Sequence, residues 1–249
     1  MITLFCHPRP FESHFDVIQR NAIGSFKVAF GEVWAMGRNC MDADADMKWP
    51  YIRYQHDLPV LSHMFAIANR NGKYPIKCYC NSDIILPPNF PHAIARVALE
   101  FPTFLAVGRR TDVPISPIIQ FDSGWWERVE EFAKMYGKPH GMAGIDYFCY
   151  RGDVWGEIPP FVLLALFDNW LVGKAIQRGV PVVDMTERVL AIHQNHGSRR
   201  SRSGKAMAYN KALVEGASEA EGTAIYDLPD VAHLGHCTWR LTEGGLEER

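Results

Sequence analysis

Residues 78–86 read Cys-Tyr-Cys-Asn-Ser-Asp-Ile-Ile-Leu, an apolar strand that ends on Asn81-Ser82-Asp83 and is followed by Pro87-Pro88. A polar triplet carrying a carboxylate at the end of a buried strand points into the crevice at the carboxyl edge of a sheet. Divalent cations and diphosphates are commonly held there. The plainer reading is a turn, because Asn, Ser and Asp satisfy neighbouring backbone groups locally. A second apolar run ends in His193-Gln194-Asn195-His196. Two histidines three apart suit a zinc ion on one helical face, but no third ligand follows at recognisable spacing, and a hydrogen-bonded histidine is the ordinary alternative. Asp168 opens a helix-like stretch after the apolar segment Phe161–Phe167. It is either a helix cap or a carboxylate in a dried setting, whose raised pKa would suit a general base. Asp146 lies inside the apolar run Gly144–Tyr150. A carboxylate there must be paired or bind a ligand.

Taken in order, these segments resemble GT-A glycosyltransferases, closest to family-two-like bacterial members. Asn81-Ser82-Asp83 resembles the Asp-x-Asp motif, with Asn in the first place. Phe167-Asp168-Asn169-Trp170-Leu171 resembles the acidic pair that starts a helix, with Phe167 in place of the first acid. The run ends at Gln177-Arg178-Gly179, and Val182–Met185 and Val189–His193 follow as short strands. The resemblance spans residues 1–196.

It implies a single α/β domain, Rossmann-like, with a mixed, mostly parallel sheet flanked by helices. The nucleotide-binding half would be about 1–110, and the acceptor half with a C-terminal flap about 111–249. The implied activity is metal-dependent transfer of a sugar from a nucleotide donor, a UDP-sugar, to the hydroxyl of a glycan or other acceptor, by inverting single displacement. Asp83 and His193 would hold Mn²⁺ or Mg²⁺, and Asp168 would be the base. His7, Arg9 and Phe11 would grip the nucleotide on a proline-stiffened loop. Asn81, Ser82 and His196 would contact ribose, water or phosphate, and Asp146 the acceptor sugar. Where relatives place a base-reading aspartate after the second strand, this chain has Gly37-Arg38-Asn39. A nucleotidyltransferase shares the metal, diphosphate and sheet, but would want a Gly-rich, Lys-containing loop where Pro8-Arg9-Pro10 stands. A non-catalytic nucleotide- or RNA-binding module would use the basic stretch Ser198–Lys205.

Composition bounds these readings. With 249 residues, 47% hydrophobic and 22% charged, the chain is long enough for one large domain or two small ones, and no composition break marks a linker between two. A net charge of −2 gives no global argument for nucleic acid or an anionic membrane. The four cations within Ser198–Lys205 have no aromatic residue among them, which favours a mobile loop over donor phosphates rather than an RNA site. Six scattered cysteines read as reduced core residues of a cytoplasmic protein. No targeting segment is visible. The longest apolar run, Ile158–Phe167, is about half of the roughly twenty residues a membrane span needs, leaving peripheral membrane contact as the limit.

Alternating strand-like and helix-like runs must position these residues. Strands are expected at Ile2–Cys6, Glu32–Gly37, Lys77–Leu86, Phe104–Gly108 and Gly144–Tyr150. Helices are expected over Phe15–Phe26, Val60–Asn69, Pro91–Glu100, Trp125–Tyr136, Asp168–Arg178 and Ala206–Glu219. Arg109-Arg110, at a strand end, could face the diphosphate, but such a pair is ordinarily solvated. The last thirty residues are expected to pack back as a flap.

Overall fold

The computed structural model describes residues 1–196, 204–216 and 231–249. In chain order the first half forms β1 (Ile2–Cys6), α1 (His14–Ala29), β2 (Glu32–Met36), β3 (Met47–Trp49), β4 (Tyr54–Gln55), β5 (Leu58–Pro59), α2 (Leu61–Asn71), β6 (Ile76–Cys80), β7 (Ile84–Ile85) and α3 (Phe90–Glu100). Then come β8 (Phe104–Val107), β9 (Arg110–Val113), α4 (Trp125–Tyr136), β10 (Lys138–Pro139), β11 (Tyr147–Arg151) and α5 (Phe167–Gln177). The chain closes with β12 (Val182–Asp184), β13 (Ala191–Gln194), α6 (Gly204–Gly216), β14 (Trp239–Leu241) and β15 (Leu246–Glu248).

The main sheet has the order β15-β14-β12-β8-β11-β6-β1-β2-β3. Its pairs are parallel except where β11 inserts between β6 and β8 and where β15 closes the edge. This is the mixed, mostly parallel sheet expected from the resemblance. All five residues of β1 are buried, as a strand covered on both faces requires. Side chains alternate across it. Phe5 packs toward α2, its ring 5.0 Å from that of Phe65, whereas Leu4 and Cys6 join the cluster of Phe26 from α1 and Ile94 from α3. The six cysteines are buried and unpaired, and burial pushes the Cys6 and Cys237 thiols up to about 12.

The expected Lys77–Leu86 strand is in fact two. Ser82 and Asp83 form a turn that ends β6 and sends β7 into a separate four-stranded sheet, β10-β9-β13-β7. The expected Gly144–Tyr150 strand starts later, at Tyr147, leaving Asp146 just before it. α6 begins ahead of the expected Ala206. Of the basic stretch, residues 198–203 lie outside the described residues. The C-terminal segment returns to the main sheet as β14 and β15. Among the described residues no helix is long and apolar enough to cross a membrane.

Candidate metal centre and adjoining crevice

The crevice at the carboxyl ends of β1 and β6 is lined by His7, Arg9, Tyr79, Asn81, Ser82, Asp83, Leu163, Leu164 and Phe167. Asp83 sits at its floor because the small sheet holds it there. β13 pairs antiparallel with β7, setting His193 opposite Ile84, and the Gln194 N–H donates to the Asp83 carbonyl at 3.2 Å. Gln194 also ties β13 to α1, donating to the Ile18 carbonyl at 2.9 Å and accepting from Asn21 at 2.9 Å.

This pairing brings Asp83, His193 and His196 together, with one potential ligand atom from each within 4.8 Å of the others. His196 Nε2 donates to Asp83 Oδ2 at 3.1 Å, and His193 Nε2 lies 3.8 Å from the same oxygen. Asp83 Oδ1 is buried without a hydrogen-bond partner. Burial would raise the Asp83 pKa, but the His196 hydrogen bond and the charges of His193, His196 and Arg9 outweigh it and hold the carboxyl below its ordinary value. A carboxylate, two imidazoles and an unused buried oxygen fit a divalent cation. Two nitrogens in the set suit Mn²⁺ or a later transition metal better than Mg²⁺, which prefers oxygen alone. His196 thus joins a cluster that the sequence reading had built from Asp83 and His193.

Behind the histidines stands a charge network that the sequence reading missed. Arg110 donates to Asp146 Oδ2 at 2.9 Å, and its Nε lies 3.1 Å from Asp112 Oδ1. His140 Nδ1 donates to Asp112 Oδ2 at 2.7 Å. Burial works against the Arg110 charge, but Asp146 and Asp112 more than compensate and raise its pKa. Burial likewise tends to raise the Asp112 pKa, and His140 and Arg110 bring it below the ordinary value. Arg110 is therefore not the solvated residue its position after a strand suggested. The available signal was the alternation Arg110-Thr111-Asp112, which places the two charges on one face of a strand.

Asp168 lies in the first turn of α5, behind Leu166, whose φ of 77° is left-handed. Such backbone costs a non-glycine residue about 1–3 kcal/mol, so the surroundings must hold it. They do so from both sides. The fully buried Asn210 of α6 bonds Val162 and Ala165, and Asn169 bonds Ala232. The Asp168 carboxyl, itself partly buried, is pushed up to about 6. Burial is the main cause; the Asn169 N–H bond opposes it and the Asp146 charge adds to it.

The remaining expected contacts divide. His7 and Arg9 line the crevice, their loop fastened by Gln19, which accepts from the Arg9 N–H at 2.5 Å. His7 Nε2 lies 3.1 Å from the Tyr54 hydroxyl, an approach that a side chain at Gly37 (φ +97°) would block. Phe11 departs from the expectation. Beyond Pro10 the chain turns it into a different pocket with Ile23 and Phe121, where the Arg20 guanidinium lies 5.7 Å from its ring. Asn81 lines the crevice with its amide already engaged, accepting from the Tyr79 hydroxyl at 2.7 Å and donating to Asp146 Oδ1 at 2.5 Å. The Ser82 hydroxyl donates to the His7 carbonyl at 3.2 Å. Asp146, expected at the acceptor, has both oxygens committed to Asn81 and Arg110; its salt-bridge alternative is the one the geometry displays.

Fold and site together define an α/β domain with a mixed, mostly parallel sheet and a candidate divalent-cation centre at its carboxyl edge. No family model matches the chain, and no curated protein matches it in sequence. Among solved structures it is similar to residues 1–349 of Staphylococcus aureus TarS, with a TM-score of 0.44 and 10% identity, covering 79% of this chain and 58% of that one. It is also similar to a Bacillus anthracis protein assigned as a glucose-1-phosphate thymidylyltransferase, solved with a sucrose. There the TM-score is 0.44 and the identity 9%, over 91% of this chain and 99% of that one. At these values neither likeness bears on activity.

Proposed function

We propose that this chain transfers a glycosyl group from a nucleotide-sugar donor to an acceptor hydroxyl. The observation that carries the reading is the convergence of Asp83, His193 and His196 at a crevice that Asp83 lines together with Phe167; Asp168, the next residue along the chain, has a pKa raised to about 6. Asp83, His193 and His196 would hold a divalent cation, which when bound supplies electrophilic stabilisation of a leaving diphosphate. Arg9 adds positive charge to the same end of the crevice, and His7 borders the nucleotide.

At neutral pH most Asp168 is ionised and poised to accept a proton. In a single displacement the acceptor oxygen bonds the anomeric carbon as the bond from that carbon to the diphosphate breaks. The acceptor proton passes to Asp168. Asp146 supports this step from behind, its charge raising the Asp168 pKa while Asn81 and Arg110 hold it in place. Leu163, Leu164 and Phe167 would limit water at the reacting carbon. The nucleotide-binding half would be residues 1–110, with the acceptor admitted from the side of residues 111–249.

Thermal melting against a panel of nucleotide sugars, with and without Mn²⁺, tests the reading. A ligand that binds only the native state raises the melting temperature. At least one nucleotide sugar should raise it in the presence of Mn²⁺; no rise with any of them would overturn the proposal.

A further inference from the structure

We infer that Asp112 is a positioning residue for the cation centre: it orients His193 so that Nε2 faces Asp83 and His196, and thereby sets the affinity for a transition-metal ion. The inference rests on the metal reading proposed above, not on glycosyl transfer itself.

β9 and β13 run parallel with Asp112 and His193 as direct register partners. Paired residues on neighbouring strands project to the same face of a sheet, so the carboxylate and the imidazole stand side by side. His193 Nδ1 lies 2.9 Å from Asp112 Oδ1, a close charge contact rather than an aligned hydrogen bond, since neither atom has a hydrogen-bond partner. A carboxylate accepts only, so it favours the tautomer with hydrogen on Nδ1 and leaves the lone pair on Nε2. That nitrogen is the one 3.8 Å from Asp83 Oδ2.

Asp112 is itself braced by His140 at 2.7 Å and by Arg110 at 3.1 Å. His196 differs in that its one carboxylate contact is through Nε2, to Asp83 at 3.1 Å, and its ring lies 5.2 Å from that of Phe15. Of the two imidazoles, then, His193 is the one oriented in advance. A carboxylate behind a metal-binding histidine fixes ring orientation and raises ligand basicity, and losing it typically costs 10–100-fold in affinity.

The test is a Mn²⁺ titration of the intact chain followed by electron paramagnetic resonance, without nucleotide. Asp112→Asn should weaken Mn²⁺ binding by roughly 10–100-fold. In a His193→Ala background the same change should cost almost nothing further, because the carboxylate acts through that imidazole. Asp112→Glu, which keeps the charge but displaces the oxygen, should fall between Asp112→Asn and the parent. It carries the test alone if Asp112→Asn does not fold. Unchanged affinity in Asp112→Asn or Asp112→Glu would overturn the inference while leaving the metal site standing, as would an equal loss with and without His193. If the unmodified chain takes up no Mn²⁺, the metal reading falls and this inference with it.

Discussion

Asp83 Oδ2 and His196 Nε2 lie 3.1 Å apart although 113 residues of chain separate them. The antiparallel pairing of β7 with β13 closes that distance, and it leaves Asp83 with one oxygen engaged and one buried and unused. A carboxylate held in that state below its ordinary pKa is set up for a cation.

Asp83→Ala should therefore abolish Mn²⁺-dependent binding of a nucleoside diphosphate while the protein stays folded. Calorimetry with and without the ion measures this directly. Mn²⁺ should support tighter binding than Mg²⁺, since two of the three ligands are imidazoles. Equal affinity with the two ions would argue that the histidines do not coordinate.

Asp168 links activity and stability through one carboxyl. Its folded pKa of about 6 lies above its unfolded value near 4, so the folded state binds the proton more tightly. Stability should fall as pH rises from about 4 to 6, and the cost should persist above 6. Asp168→Asn removes it. Partial exposure of the side chain reduces the gain at pH 7.5 to the order of 1–2 kcal/mol, with little gain at pH 4. Turnover should drop by roughly two to four orders of magnitude, with donor affinity within a few-fold of the parent. In the parent, turnover should climb through a pKa near 6. A variant that keeps near-full turnover would reduce Asp168 to a helix-end residue.

Arg110 bridges two carboxylates with its side chain about a fifth exposed. Arg110→Ala would remove the permanent cation from Asp112 and Asp146, leaving them only His140, His193 and Asn81, and should cost on the order of 3 kcal/mol in urea unfolding. Arg110→Lys should recover only part of that, because an ammonium cannot span both partners in fork geometry. A loss below about 0.5 kcal/mol would place the pair among ordinary surface bridges.

His7 and Phe11 separate the two sides of the first loop. His7→Ala should weaken nucleoside diphosphate binding, because His7 borders the crevice. Phe11→Ala should leave that affinity within two-fold, because Phe11 faces another pocket. Loss of binding on changing Phe11 alone would move the nucleotide site.

Much of the framework is legible in the order of residues. The all-apolar Ile2–Cys6, the helical recurrence of Ile18, Ala22 and Phe26, and Asn-Ser-Asp at the end of β6 are local patterns. Backbone period and turn chemistry make them readable without knowing what they pack against. The same locality put Asp168 at the start of a helix and His193 at the end of a strand.

Other features were decided only when distant segments met. Arg110–Val113 is four residues long and carries two charges, so its alternation is too short to mark it as a strand by itself. It becomes one because β10 and β13 supply its hydrogen bonds. That pairing brings Arg110, Asp112, His140 and His193 into one charge network. Phe11 shows the reverse case: an aromatic two residues beyond Arg9 lines a different pocket, with Ile23 and Phe121. Sequence determined which residues could bind or ionise. Strand register and side-chain direction, which depend on partners up to 113 residues away, decided which of them face one another.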